Sequence, residues 1–214
     1  MKTDYNVVIL IMTDNSVDVI EPTILSAVNQ TFDKTHLKVV VVDNYSTDGT
    51  YEKLLTYIKK HDISVYRLKR KYLKTRLMYQ ANLTLRYTLH RYITILMPGD
   101  VLADDFIEKS AGFMDNSTSN NVRILLCETD VIGEKKQVIT QVPLYETSRI
   151  LNAQDHFIEL FINGLGHKVQ CVYRVGSIPN QLVDLSHFVD FTDCFKKAFL
   201  LISVSYTHLT LPTN

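Results

Sequence analysis

The chain lacks a charge of one sign. Its 23 Lys and Arg are balanced by 23 Asp and Glu, so the formal net charge is zero. Nucleic-acid binding leaves a basic footprint on a domain, so no nucleic-acid partner is expected. Cysteine is scarce: Cys127, Cys171 and Cys194 are far apart and odd in number. That argues against a disulfide framework or a zinc site, suits a reducing cytoplasm, and leaves the cysteines as core residues. No two histidines stand at metal-ligand spacing. Long apolar runs are also missing, and none approaches the roughly 20 residues that cross a bilayer. Residues 1–6 lead directly into a strand pattern, so no signal peptide is expected. Neither an internal repeat nor a low-complexity linker interrupts the chain. At 214 residues and 46% apolar composition there is enough for a proper core, in one domain or one plus a fragment.

The first hundred residues alternate strand and helix patterns. Asn6–Met12 is a continuous apolar run, the signature of a strand buried on both faces. A polar turn, Thr13-Asp14-Asn15-Ser16, follows. A helix comes next, with Pro22 placed for its first turn and a stripe of Ile24, Leu25 and Val28. Leu37–Val42 is a second buried strand, ending in Asp43. Asn44–Thr50 is rich in helix-capping residues, and Ser46, Thr47 and Asp48 read first as a helix start. The helix after it runs to about Lys60, with Tyr51, Leu54, Leu55 and Ile58 as its expected apolar face. Ser64–Leu68 is a short third strand. The basic stretch Lys69–Arg76 leads into a helix through Tyr87, and the Tyr92 strand follows. This order predicts an α/β fold with a mostly parallel sheet flanked by helices. Right-handed crossovers then place Asp14, Asp43 and Asp100 on one rim. Beyond residue 115 the pattern is less regular. Val122–Cys127 and Val169–Arg174 read as strands, with Gln137–Gln141 as a partner of the former. Asp155–Ile162 and Phe188–Leu201 read as helices.

The most informative stretch is Tyr92–Asp100, an apolar strand stopped by Pro98-Gly99 and followed at once by an acid. It delivers Asp100 to the carboxyl edge of the sheet, where ligands bind in open α/β folds. A carboxylate there can hold Mg²⁺ or Mn²⁺, with phosphate oxygens and water completing the shell. The competing reading is that Asp100 caps a helix spanning Leu102–Met114.

These segments together resemble a family 2 glycosyltransferase of the GT-A, Rossmann-like fold. Val40-Val-Val-Asp43-Asn-Tyr-Ser-Thr-Asp-Gly-Thr50 stands against a family pattern of Val-Val-Asp-Asp-Gly-Ser-Thr-Asp-Gly-Thr. Met12-Thr13-Asp14-Asn15 stands where the family has a Pro-Thr-Tyr-Asn-like turn, matching at Thr13 and Asn15. Ser26-Ala-Val-Asn-Gln30-Thr31 resembles a Ser-Val-x-x-Gln-Thr-like segment, and Ala81-Asn82 an Ala-x-Asn-like one. Pro98-Gly99-Asp100 keeps only the last acid of the Asp-x-Asp metal motif. Phe188-Val-Asp190-Phe-Thr-Asp193 resembles the segment that supplies the catalytic base, with its Glu-Asp pair reduced to Val189-Asp190.

The resemblance implies inverting transfer of a sugar from a nucleotide-sugar, UDP-linked by expectation, to a glycan, lipid-linked or protein acceptor. It implies Asp100 as the metal ligand and a donor site of Thr13, Asn15, Asp43, Arg76 and Asn82. Asp190 becomes the general base, with Asp193, one helical turn on, as the alternative. Lys71 and Lys74 stand beside Arg76 as cations that could offset the diphosphate. Bland readings stay open: Thr13 as a turn residue, Asn82 holding backbone, and the Lys69–Arg76 cluster as a solvated face. So does a second class of function, a GT-A-like nucleotide-binding or regulatory protein without activity. Family likeness further implies work at the cytoplasmic face of a membrane, with peripheral association through segments outside this chain.

Residues 1–203 are expected to form this domain. Val204–Asn214 breaks the preceding helix pattern and resembles a translated sequencing-adapter read-through. It is expected to be a non-native tail lying over the surface, with the true gene continuing past about Leu201.

Overall fold

A computed structural model describes residues 4–71, 89–116, 122–127, 129–132, 138–142, 150–152, 170–174 and 207–211. The first half builds a parallel block. Strand β1 (Asp4–Thr13) leads to helix α1 (Ile20–Val28), β2 (Leu37–Asp43), α2 (Thr50–Ile58) and β3 (Ile63–Arg67). Strand β4 (Leu89–Leu96) and helix α3 (Phe106–Asp115) follow. The sheet order at this end is β3-β2-β1-β4, all parallel. Register aligns Thr13 with Asp43, and Asp43 with Arg67, so the carboxyl ends of β1, β2 and β3 finish level.

The unalternating apolar runs explain why this block forms. Val7, Ile9, Ile11, Val39 and Val41 face one side, where Ile20, Ile24, Leu54, Ile107 and Met114 of the three helices close over them. Val8, Leu10, Met12, Val40 and Val42 form a second cluster on the other face. A strand with both faces buried cannot alternate apolar and polar residues, which is the pattern the sequence carries.

Of the remaining strands, four extend the sheet and two pair separately. They are β5 (Val122–Cys127), β6 (Thr129–Ile132), β7 (Val138–Val142), β8 (Ile150–Asn152), β9 (Gln170–Arg174) and β10 (Thr207–Leu211). Strand β9 joins β4 to β5, antiparallel to both, and β10 follows β5 with β8 at the edge.

Four sequence expectations change here. First, α2 buries Thr50, Leu54 and Tyr57, leaving Leu55 and Ile58 exposed, because the Thr50 hydroxyl is anchored inward by Ser16 of the turn after β1 and by Asp48. Second, α3 begins at Phe106 rather than Leu102, because tertiary hydrogen bonds from α1 and the residues just after it take up the backbone of residues 102–104. Third, the Gln137–Gln141 region does not pair with β5. Strand β7 makes a separate two-stranded sheet with β6. Fourth, Thr207–Leu211 runs as a strand between β5 and β8 rather than over the surface. Its alternation of Thr and Leu is a generic strand pattern; the pairing concerns where the segment lies, not its origin. The expected helices at Asp155–Ile162 and Phe188–Leu201 and the one ending at Tyr87 lie outside the described residues.

Candidate active site

The site is assembled by three loops leaving the carboxyl ends of β1, β2 and β4. The first two are laced together. The Asn15 N–H donates to Ser46 Oγ at 2.8 Å, and Asn15 Oδ1 accepts the Thr47 N–H at 2.9 Å. The Ser16 N–H donates to Thr50 Oγ1 at 2.7 Å, and the Val17 N–H to Asp48 Oδ2 at 3.0 Å. Asp48 Oδ1 also accepts from the N–H and hydroxyl of Thr50. Some burial opposes the charge on Asp48, but the bonds from Thr50 and Val17 outweigh it and hold the carboxyl below its ordinary value. Gly49 turns the chain into α2 with φ of 96°, a conformation that suits glycine alone. Ser46, Thr47 and Asp48 therefore do more than start a helix. They fix the β1 turn against the β2 turn. Asn15 is likewise engaged in this lacing, where the sequence reading gave it a donor contact.

Within this frame lie two buried oxygens. Asp43 is fully buried, and its Oδ2 accepts the Ser46 N–H at 3.1 Å. Asp43 Oδ1 and Thr13 Oγ1 are buried and have no hydrogen-bond partner among the described residues. Buried polar atoms are nearly always satisfied, so such an unmatched pair calls for an explanation. Both sit at the level carboxyl ends of adjacent strands, where open α/β sheets take ligands.

Asp14 is next along the same rim. Its Oδ2 accepts from Asn44 Nδ2 at 3.1 Å. Its Oδ1 makes no aligned hydrogen bond but lies 2.9 Å from Lys71 Nζ, an ion pair. Lys71 is thus the member of the basic stretch that reaches the rim among the described residues.

The third loop carries Asp100, and α1 holds it. The Gly99 N–H donates to Thr23 Oγ1 at 2.9 Å, with φ of 97° at Gly99 turning the chain. The Leu102 N–H donates to Ser26 Oγ at 3.2 Å. Gln30, almost fully buried, donates to the Ala103 carbonyl at 2.8 Å and accepts the Ile107 N–H at 2.9 Å. The Thr31 N–H donates to the Asp104 carbonyl at 2.8 Å. Ser26, Gln30 and Thr31, all in the segment singled out from sequence, are therefore the brace of the Asp100 loop. Helix α3 starts six residues after Asp100, with Asp105 at its N-cap position, so Asp100 is not its cap. The Asp100 residue is exposed overall, yet protein surrounds the carboxyl closely enough that partial burial pushes its pKa above the ordinary value.

Among the described residues no group of three His, Cys, Asp or Glu could hold a metal ion by itself. A lone carboxylate still fits Mg²⁺ or Mn²⁺ where substrate phosphates supply most of the shell. Arg76, Asn82, Asp190 and Asp193 lie outside the described residues. So does Lys74. Sequence reasoning missed Arg67 and its neighbours Tyr45 and Tyr51; counting the parallel register from Asp43 to the end of β3 would have found Arg67.

A family model for glycosyl transferase family 2 matches residues 8–178. The chain belongs to glycosyl transferase family 2. No curated protein sequence matches this family 2 chain. Among solved structures it is similar to TarS from S. aureus, residues 1–349, at 20% identity and a TM-score of 0.69, covering 98% of this chain and 58% of TarS 1–349. A complex of the same TarS fragment with UDP-GlcNAc matches with a TM-score of 0.65. The mannosyltransferase PcManGT from Pyrobaculum calidifontis, in complex with GDP-Man and Mn²⁺, matches at 18% identity and a TM-score of 0.61, covering 99% of this chain and 56% of PcManGT. The chain spans less than two thirds of each of these structures. At such identity the likeness establishes the fold, which is GT-A: a Rossmann-like sheet with a parallel four-stranded block, flanked by helices.

Proposed function

We propose that this family 2 chain is the donor-binding part of an inverting glycosyltransferase. It would move a sugar from a nucleotide-sugar, UDP-linked in our reading, to a hydroxyl of a glycan, lipid-linked or protein acceptor. The observation that carries this is the convergence of Thr13, Asp43 and Asp100 on one rim, with Thr13 Oγ1 and Asp43 Oδ1 buried and unmatched. Asp43 and Thr13 supply an acceptor and a hydroxyl for the nucleoside. Asp100, carried past the end of β4, supplies the protein ligand for Mg²⁺ or Mn²⁺. Bound there, a divalent ion neutralises the charge of the diphosphate leaving group. Lys71 adds a cation on the same rim, and Arg76 and Asn82 complete the donor site in this reading. Asp190, or Asp193, takes the proton of the acceptor hydroxyl. The comparisons support the reading at the level of family and fold, and two of the similar structures hold UDP-GlcNAc and GDP-Man.

Among the described residues no helix is long and apolar enough to cross a membrane. Action at a cytoplasmic membrane face follows only from family likeness.

One observation favours a second reading, a nucleotide-binding protein without transfer activity. The metal motif keeps a single acid, and the described residues contain no group of three His, Cys, Asp or Glu that could hold an ion. Titration calorimetry of UDP and GDP with and without Mn²⁺, followed by a donor screen for hydrolysis or transfer, separates the two. Metal-dependent binding with turnover of one donor supports the enzyme. Binding indifferent to metal, with no turnover of any donor, supports the inert protein.

A further inference from the structure

Arg67 closes β3 in register with Asp43, and its guanidinium meets four partners. Its Nε lies 3.6 Å from Asp43 Oδ2, and its Nη2 donates to the Ser46 carbonyl at 2.7 Å. The Tyr45 ring centroid is 5.0 Å from Cζ and the Tyr51 centroid 4.5 Å, so the cation lies over two aromatic rings. Three of these four partners belong to the loop between β2 and α2 or the first turn of α2. The fourth is the buried carboxylate itself.

Tyr45 stands in an unfavourable backbone conformation. Its φ is 60°, a region that a residue with a large side chain adopts only under constraint, and its residue surface is 45% exposed. Nearly half of the residue stays in water, so Tyr45 is not a core side chain held there by burial alone. What it contributes is a ring beneath the Arg67 guanidinium. Strain kept for a side chain that braces another side chain, beside an unmatched buried carboxylate, points to function rather than packing.

We propose that Arg67, braced by Tyr45 and Tyr51, is the positioning residue that orients Asp43 for the donor nucleotide. It and the Ser46 N–H both engage Oδ2, which leaves Oδ1 as the free acceptor, on the residue in register with Thr13. A planar guanidinium held by two rings fixes direction as well as charge, which an ammonium cannot do. The proposal rests on the donor-site reading above.

The test is calorimetry of UDP and GDP on the purified 214-residue chain, with thermal unfolding of each variant alongside. Arg67→Met should weaken nucleotide binding about tenfold, the size expected when a charged group loses its orienting partner. Arg67→Lys should fall between the two. Tyr45→Gly relieves the backbone strain, so its unfolding temperature should hold or rise while its nucleotide affinity falls. A purely structural role would move the two together. In an Asp43→Asn background, Arg67→Met should cost little further. If Arg67→Met fails to fold, Tyr45→Gly and Tyr51→Leu decide. Wild-type affinity in the Arg67 and Tyr45 variants, with Asp43→Asn still weakened, overturns the proposal and leaves the donor site standing. If Asp43→Asn binds as wild type, or the wild type binds neither nucleotide, the donor site itself fails and the proposal with it.

Discussion

Gln30, two residues past the end of α1, and Ile107 on α3 are joined by a hydrogen bond from the Ile107 N–H to Gln30 Oε1 at 2.9 Å, deep in the structure. The same amide donates to the carbonyls of Ser26 and Ala103. A single buried side chain therefore ties the start of α3 and the loop carrying Asp100 to α1. Gln30→Leu would leave the Ile107 N–H buried and unpaired, which costs about 2 kcal/mol. We expect a lower urea midpoint with unchanged slope and, where activity is measurable, a raised KM for donor as the Asp100 loop loosens. An unchanged midpoint would mean the brace is not needed.

The four parallel strands and the level rim were legible because their cause is local. Strands β1 and β2, buried on both faces, must be apolar throughout, and the turn residues after Met12, Val42 and Leu96 mark the ends of β1, β2 and β4. The acids near those ends were visible for the same reason. What was not legible has a long-range cause. The delayed start of α3 depends on Gln30, Ser26 and Thr31, more than seventy residues away. The buried face of α2 depends on the Thr50 hydroxyl meeting Ser16 and Asp48. The antiparallel insertion of β9 between β4 and β5 is a choice of partners that no periodicity within Gln170–Arg174 encodes. Arg67 was missed because it closes a short strand with little composition signal, and only register reveals what it faces.

Asp43 should govern nucleotide affinity whether or not metal is present. Its free oxygen is buried and unmatched, so Asp43→Ala removes an acceptor where water cannot readily substitute. Loss of a hydrogen bond involving a charged group corresponds to about 2 kcal/mol. Calorimetry with UDP in the presence of EDTA checks this, and an affinity equal to wild type would remove Asp43 from the donor site.

Tyr92 predicts an alkaline limb in stability. It is fully buried, donates its hydroxyl to Asp115 Oδ1 at 2.6 Å, and has the Arg91 and Arg174 guanidinium groups over its ring. Burial first, and the Asp115 bond second, push its pKa from 10.0 up to about 12. A raised folded value means the contribution is fully present below about pH 10, where unfolded tyrosine is neutral, and is lost as pH rises toward 12. Tyr92→Phe keeps the ring and loses the bond, so it should cost about 1 kcal/mol at pH 7. The gap between wild type and variant should narrow as pH rises above 10. Parallel urea titrations across that range test it, and a gap constant with pH would contradict the assignment.

Asp190 is proposed as the general base on sequence grounds, with Asp193 as its competitor. The two make separable expectations. A base variant binds donor normally and loses transfer, because the proton of the acceptor hydroxyl has no destination. Asp190→Ala should therefore leave UDP affinity intact and reduce turnover by about a hundredfold or more. Asp193→Ala should then be close to wild type. The reverse pattern would move the base to Asp193, and normal turnover in both variants would exclude the segment.

Asp100 carries the sharpest expectation about metal. It follows a buried strand and the Pro98-Gly99 turn, its loop is braced by Thr23, Ser26 and Gln30, and no helix claims it as a cap. Partial burial disfavours its charge when no cation is near, and a divalent ion reverses that preference. A single carboxylate offers such an ion little on its own, so metal should bind weakly to the free protein and firmly once a diphosphate shares the shell. Asp100→Asn keeps the shape and removes the charge. We expect it to fold normally, to retain the metal-independent part of UDP binding that Asp43 provides, and to lose the increment that Mn²⁺ adds. Calorimetry of UDP against wild type and Asp100→Asn, each with Mn²⁺ and with EDTA, gives the four numbers required. If the Mn²⁺ increment survives in Asp100→Asn, the ion is held elsewhere and Asp100 is not its ligand.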